Sequence, residues 1–219
     1  MNYDCINLHF IDACNYSCKH CFVNKENREL SLDKIKNIID KVSDYFASRG
    51  IQGRINLAGG EPLLSKNIDQ IIDYIYSKSI RVSIITNGSL LTEDFIKNNC
   101  SKIESIGISV DSLIDSTNMA IGRNFRGKTL SKDELINKCK WIKENGIKLK
   151  INTCVSGLNV NEDFNGFLDL VKPDRYKILQ MLIYDDNLMV NKAKREELKE
   201  FVKKHKRENT VFESADELN

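Results

Sequence analysis

Two hydrophobic periods take turns along this chain. Short β-branched runs predict strands over residues 6–11, 54–58, 81–86, 105–110, 148–155 and 176–183. The longer segments between them carry apolar residues at spacings of three and four and predict helices. The clearest covers 32–46, where Leu32, Ile35, Ile38, Ile39, Val42 and Phe46 form one face and Lys and Asp fill the other. Ser31 stands ahead of it as an N-cap, but Lys34 holds the third helical position, so the capping box is incomplete. Segments 68–75, 93–98, 132–144, 161–171 and 192–204 read the same way, and Asn145-Gly146 is a C-cap signal closing the helix of Trp141. Trp141, Phe167 and Phe201 fall at helix positions suited to core packing.

Six strand–helix units in series imply a parallel sheet, because parallel neighbours need a crossover and crossovers are right-handed. Two closures fit: an open doubly wound sheet, or an incomplete barrel, since eight units take ~250 residues and this chain has 219. The polar and glycine-bearing motifs follow the strands. A cysteine loop comes after the first, Gly59-Gly60-Glu61-Pro62 after the second, Thr86-Asn87-Gly88-Ser89 after the third and Asp111-Ser112 after the fourth. In either closure the carboxyl ends of the strands form one face, and ligands bind there.

Composition narrows the classes. With 41% hydrophobic residues the chain supports one sizeable core. Lys+Arg 33 against Asp+Glu 31 leaves +2, too little for a surface that tracks nucleic acid. Two prolines and 11 glycines exclude a collagenous or Pro-rich chain. No apolar run approaches the ~20 residues of a membrane span, and the opening MNYDCINLHF lacks the pattern of a signal peptide. An odd count of seven cysteines argues against a disulfide framework. Cys5, Cys100, Cys139 and Cys154 are scattered and read as small buried hydrophobes. The run 203–207 (KKHKR) reads as the solvated end of a helix, Asp185-Asp186 as a solvated loop pair, and His9 as a satisfied strand histidine.

Cys14, Cys18 and Cys21 are different, because they crowd into eight residues. Three thiolates on one loop suit three corners of a [4Fe–4S] cluster, whose fourth iron then stays open for chemistry. The alternative is a zinc loop completed by a distant ligand such as Cys5 or His9, since structural zinc wants four. His20 lies between two of the ligands and has to point elsewhere.

The C-x3-C-x2-C loop after a first strand, with Gly59-Gly60-Glu61-Pro62 after the second, resembles the radical S-adenosylmethionine superfamily. Asn7-Leu8-His9-Phe10, Arg54-Ile55-Asn56, Ser89 after Asn87-Gly88, the run 108–112 (ISVDS), Ile121-Gly122-Arg123, Lys150-Ile151-Asn152, Arg175-Tyr176-Lys177 and Phe212-Glu213-Ser214 are similar, in order and spacing, to viperin-like proteins. The resemblance implies an α/β fold, a partial (β/α)6 barrel over 1–207 with its active site at the strand C-terminal ends, and 208–219 as the start of a C-terminal extension. It implies a [4Fe–4S] cluster and S-adenosylmethionine as cofactors. It implies conversion of a ribonucleoside triphosphate to its 3′-deoxy-3′,4′-didehydro analogue, an antiviral chain terminator, by removal of the 4′ hydrogen and loss of the 3′ hydroxyl. An electron donor of flavodoxin or ferredoxin type, a monomeric state and a cytoplasmic location free of membrane or nucleic acid go with it.

Carried over position by position, the resemblance makes Cys14, Cys18 and Cys21 the cluster ligands. Phe22, Gly59, Gly60, Glu61, Ser109, Arg123 and Asn152 become S-adenosylmethionine contacts, with Glu61 and the glycine backbone at the methionyl amino group. Asn7, Arg54, Lys150, Arg175 and Lys177 become substrate contacts; no general acid or base is singled out. Arg54 stands where Lys is usual, and Ala58 where Ser is usual. Four cations in or beside strands suit a triphosphate, and are expected to converge on the C-terminal mouth of the sheet. The rival activities are a GTP-cyclase type, a peptide-modifying type and a silent cluster- or nucleotide-binding protein.

Overall fold

A computed structural model describes residues 3–184 and 186–215. Seven strands, β1 (Cys5–Ile11), β2 (Arg54–Gly59), β3 (Arg81–Thr86), β4 (Ile103–Ser109), β5 (Lys148–Val155), β6 (Arg175–Gln180) and β7 (Thr210–Glu213), form one sheet in sequence order. The pairings β1–β2, β2–β3, β5–β6 and β6–β7 are parallel. With β1 and β7 as its edges the sheet is open, which is the partial (β/α) barrel class. The helices are α1 (Leu32–Ser48), α2 (Ile68–Ser77), α3 (Glu93–Asn99), α4 (Asp115–Ile121), α5 (Lys132–Glu144), α6 (Asn165–Val171) and α7 (Arg195–Lys204). Among the described residues no helix is long and apolar enough to cross a membrane.

The chain divides into two compact units: Met1–Cys14, Val23–Gly107 and Trp141–Lys148 make one, and Asn15–Phe22, Ile108–Lys140 and Leu149–Asn219 the other. In the first, Ile35, Ile39 and Phe46 of α1 and Ile68, Ile71, Ile72 and Ile75 of α2 are buried, as are Ile55, Leu57, Val82 and Ile84 on the strands. Alternation along β2 explains the rest: Ile55 and Leu57 pack, while Arg54 and Asn56 stay half-buried on the opposite face. Ser31 caps α1 by accepting from the Lys34 amide, and Thr92 caps α3 by accepting from the Phe95 amide.

In the second unit, Phe164 and Phe201 meet edge to face with ring centroids 5.8 Å apart. His205 sits fully buried beside them. Its Nε2 accepts the Phe164 amide at 3.0 Å, so the ring proton is on Nδ1, which donates to the Phe201 carbonyl at 2.8 Å. The charge run 203–207 is therefore only partly a solvated helix end, since Arg207 also binds Asn165 and Asp169. Burial holds the His205 imidazole below its ordinary pKa, against the opposing pull of Asp163. The unfolded chain thus takes up the proton more readily, so His205 contributes stability above about pH 6.5 that is lost as pH falls through its folded value. Thermal midpoints measured from pH 7.5 to 5 are expected to fall more steeply for this protein than for His205→Gln; parallel curves would show that His205 does not titrate this way.

Several boundaries differ from the sequence reading. The expected helix over 161–171 begins only at Asn165, because Asn159 builds a turn there: its Oδ1 accepts the Ser156 amide, and its Nδ2 donates to the Asp111 and Cys154 carbonyls. The seventh strand lies inside the segment read as an extension. Of the scattered cysteines only Cys139 is buried; Cys5, Cys100 and Cys154 are half-exposed. Phe167 and Phe201 are core, Trp141 is half-buried, and His9 is exposed on the edge strand β1. Asp185 lies outside the described residues.

Candidate active site

In the first unit, the end of β2 is joined to the chain leading into Cys14 by backbone alone. The Gly60 amide donates to the Ile11 carbonyl at 2.7 Å, and the Glu61 amide to the Ala13 carbonyl at 2.8 Å. The approach needs glycine at both positions. Gly59 has φ +143°, and a Cβ there would lie 2.0 Å from the Ile11 oxygen; a Cβ on Gly60 would lie 2.1 Å from that of Ala13. Glu61 is fully buried. Its carboxylate accepts from Thr86 Oγ1 at 2.7 Å, the Leu63 amide at 3.0 Å and the Asn87 amide at 2.7 Å. Asn87 in turn points Nδ2 at Cys14 Sγ, 3.9 Å away, and accepts from Ser89 with Oδ1. So Glu61 turns toward the end of β3, and Asn87 supports Cys14. The Thr-Asn-Gly-Ser run after the third strand was the visible signal for Asn87, but its chemistry is not legible without the neighbours.

The second unit carries the other half of the cysteine loop. The Ser17 amide donates to the Gly122 carbonyl at 3.1 Å, and the Lys19 amide to the Ile121 carbonyl at 2.9 Å, which lays the loop along the end of α4. Gly122, in the left-handed region at φ +89°, is required, since a Cβ would lie 2.2 Å from the Ser17 oxygen. Tyr184 donates its hydroxyl to the Cys21 carbonyl. Behind the loop lies a buried charge network. Asp111 Oδ2 accepts from Arg123 Nη1 at 2.8 Å and faces His20 Nε2 at 3.3 Å, while Oδ1 accepts the Cys154 amide at 2.8 Å. Arg123 also donates to the Ser109 carbonyl at 2.6 Å and lies over the Tyr16 ring.

Burial would push the Asp111 carboxyl up, but Arg123 and His20 outweigh it and hold it well below the usual carboxylate range. Burial likewise opposes charge on His20, yet its hydrogen bonds to Asp111 and Cys154 leave its pKa pushed up to about 11. His20 does point elsewhere than its cysteine neighbours, and Arg123 commits two donors to Asp111 and Ser109. Ser109 and Asn152 are half-buried, and the Asn152 carbonyl accepts the Val110 amide at 2.8 Å. Phe22 is 64% exposed.

The expected substrate residues lie low in their strands. On the second unit, Lys150 is in register with Arg175, and Asn152 with Lys177, so all four share one face of β5–β6. Arg175 opens β6, and Lys150 and Lys177 are third in their strands. Lys177 meets Glu213 at 2.6 Å, and the Arg175 Nε is buried with no hydrogen-bond partner among the described residues. On the first unit, Arg54 opens β2, while Asn7 Oδ1 accepts from Asn56 at 2.8 Å. The cations therefore sit in the amino-terminal halves of the strands, not in the loops at the opposite ends. Two-residue alternation along β5 puts Lys150 and Asn152 on one face but says nothing of height along the strand.

All seven cysteines stand as thiols, with Cys14, Cys18 and Cys21 half-buried. Cys5 begins β1 and is separated from Cys14 by roughly 20 Å of strand, with Asn56 on its Sγ, so it does not complete a zinc set. Among the described residues no three His, Cys, Asp or Glu side chains already converge on one point. Three thiols on one backbone-anchored loop fit a [4Fe–4S] cluster by donor chemistry.

A family model described as the Radical SAM superfamily matches residues 8–171. An S-adenosylmethionine-dependent nucleotide dehydratase of Psychrobacter lutiphocae is 31% identical over 226 residues, covering 96% of this chain and 75% of the relative. Its namesake in Lacinutrix mariniflava is 34% identical, covering 97% of this chain and 47% of the relative, and that of Danio rerio is 30% identical over 82% and 50%. Among solved structures, Streptococcus suis SuiB bound to S-adenosylmethionine matches with TM-score 0.72 and 21% identity over 97% of this chain and 50% of its own. The Kitasatospora setae methyltransferase TsrM, with cobalamin and a [4Fe–4S] cluster, matches with TM-score 0.61 and 14% identity over 80% and 34%. At those identities the solved structures show the fold. The chain spans half or less of these two and from about half to three quarters of the curated relatives.

Proposed function

The chain belongs to the radical S-adenosylmethionine superfamily and, within it, to the viperin-like S-adenosylmethionine-dependent nucleotide dehydratases, and from that membership and the geometry above we propose that it dehydrates a ribonucleoside triphosphate to the 3′-deoxy-3′,4′-didehydro nucleotide. Its cofactors are a [4Fe–4S] cluster and S-adenosylmethionine, which together supply a 5′-deoxyadenosyl radical for hydrogen abstraction. Cys14, Cys18 and Cys21 hold the cluster, and Phe22, Gly59, Gly60, Glu61, Ser109, Arg123 and Asn152 surround S-adenosylmethionine. Glu61 fixes Asn87 and the end of β3. Lys150, Arg175 and Lys177, with Arg54 and Asn7, take the triphosphate.

The shared face of β5–β6 carries this reading. Three cations on adjacent strands of a chain with a net charge of only +2 point to a compact polyanion rather than a nucleic acid or an uncharged peptide. The balance is simple. The substrate loses a hydrogen atom from C4′ and hydroxide from C3′; one electron is consumed in the reductive cleavage of S-adenosylmethionine, and a second electron, with a proton for the hydroxide, closes the reaction as water leaves. An external donor of flavodoxin or ferredoxin type supplies both electrons to a monomer in the cytoplasm.

Nucleotide deuterated at C4′ is expected to pass its label into 5′-deoxyadenosine, because the radical abstracts the hydrogen positioned against it. Label arriving from C3′ instead would indicate GTP-cyclase chemistry. No transfer from any of the four ribonucleoside triphosphates would overturn the proposal in favour of a peptide-modifying or silent protein.

A further inference from the structure

Arg54 has a partner that sequence reasoning passed over. Arg81 opens β3 as Arg54 opens β2, and the two are register partners in a parallel pair, so their side chains leave the same face of the sheet. Both reach one carboxylate. Arg54 Nη1 lies 3.5 Å from Glu104 Oε2, Arg81 Nη1 3.6 Å from Glu104 Oε1, and Lys148 Nζ 3.3 Å from Oε1. Three cations thus share a single anion, at distances well beyond the ~2.7–2.9 Å of a tight charge-assisted hydrogen bond.

The hydrogen-bond count is also incomplete. Arg54 Nε, Arg81 Nε and Glu104 Oε2 are all buried without a hydrogen-bond partner among the described residues. Arg81 also donates to the Gln52 carbonyl, at 3.0 Å. Buried polar groups are normally satisfied, and half-buried positive charge in excess is costly until an anion meets it. There is room for one: a cavity of 450 Å³ opens at this end of β3 and β4, walled by Arg81, Glu104, Ser101, Lys102 and Gln52. Arg81, 32% exposed, and Glu104 line this cavity, and Arg54, 20% exposed, adjoins it through its contact with Glu104.

We propose that Arg54 and Arg81 form a phosphoryl-binding pair at the foot of β2 and β3, with Glu104 as a placeholder that holds the two guanidinium groups until a phosphoryl group displaces it. This rests on the reading of Arg54 as a substrate cation and adds Arg81 and Glu104 to it. Two planar guanidinium forks match the tetrahedral oxygens of phosphate, which a lone carboxylate at 3.5 Å does not saturate. The phosphoryl group belongs either to the tail of a nucleoside triphosphate or to free inorganic polyphosphate.

The full chain carrying its cluster, titrated calorimetrically with inorganic tripolyphosphate and with a ribonucleoside triphosphate, separates these. Arg81→Gln is expected to weaken tripolyphosphate binding roughly tenfold or more. Arg81→Lys, which keeps the charge and loses the fork, falls between. Glu104→Gln is expected to bind tripolyphosphate several-fold more tightly, because the competing carboxylate is gone. The same pattern with the nucleotide assigns the pair to the nucleotide tail; a pattern confined to tripolyphosphate assigns it to free polyphosphate. Unchanged tripolyphosphate affinity in both Arg81 variants, or weaker binding by Glu104→Gln, overturns the inference and leaves a closed ionic floor. Lys150→Ala keeps the two levels apart. If it weakens nucleotide binding while the Arg81 variants bind both anions normally, the inference falls and the functional reading stands. If Lys150→Ala leaves nucleotide binding intact, the functional reading falls, and the tripolyphosphate result alone decides on the pair.

Discussion

Replacing Cys14, Cys18 and Cys21 together with alanine is expected to abolish iron binding on anaerobic reconstitution, together with the broad visible absorption of thiolate–iron charge transfer. The fold should survive, because the backbone anchors the loop. Its anchors are backbone hydrogen bonds from Ser17 and Lys19 to the end of α4, from Gly60 and Glu61 to Ile11 and Ala13, and from the Cys21 amide to the Cys18 carbonyl. An unchanged unfolding transition with no iron would therefore place the defect in the ligands alone. Cys5→Ala is the matched control, since its thiol sits at the far end of β1 and is expected to retain full iron. Full iron content in the triple variant would show that the cluster assignment is wrong.

How far this was readable from the chain depends on the range of the interaction. The strand–helix alternation, the Ser31 cap and the cysteine loop are local, and local spacing shows them. Two short elements were missed, although α3, also of seven residues, was read. Helix α4 has seven residues and β7 four, too few for a period to stand out. Polar residues whose partners are distant in sequence failed more completely. Asp111 looked like one more polar residue after a strand, yet Arg123, twelve residues on, and His20, ninety-one residues back, both converge on it. Arg81 read as the plain first residue of a strand, and only register beside Arg54 gives it meaning. Family resemblance pointed to Arg123 and Arg54 but not to Asp111 or Arg81, because a motif carries over positions and not the contacts that an individual chain builds around them.

Asp111→Ala is expected to be the most destabilising of the charge variants, by ~3–5 kcal/mol, the usual cost of removing one partner from a buried ion pair. The aspartate side chain is 3% exposed and Arg123 9%, so deletion leaves a buried guanidinium without its carboxylate. Two further donors lose their acceptor at once, His20 Nε2 and the Cys154 amide. Asp111→Asn should be nearly as costly, because its single oxygen serves only one side of the three-donor set and its amide hydrogens then face donors. By comparison the exposed i,i+4 pair Lys97–Glu93 on α3 is screened by solvent and contributes little. Urea unfolding of the full chain measures the difference as a lower midpoint at unchanged slope. Arg123→Met placed on Asp111→Ala should recover part of the loss, since the stranded charge goes with it. A midpoint for Asp111→Ala within ~0.5 kcal/mol of the parent, the range of ordinary surface substitutions, would mean that the network does not hold the second unit together. His20 lies inside the loop of Cys18 and Cys21 and is held by Asp111, so the same variant should also load less iron, at a temperature where it remains folded.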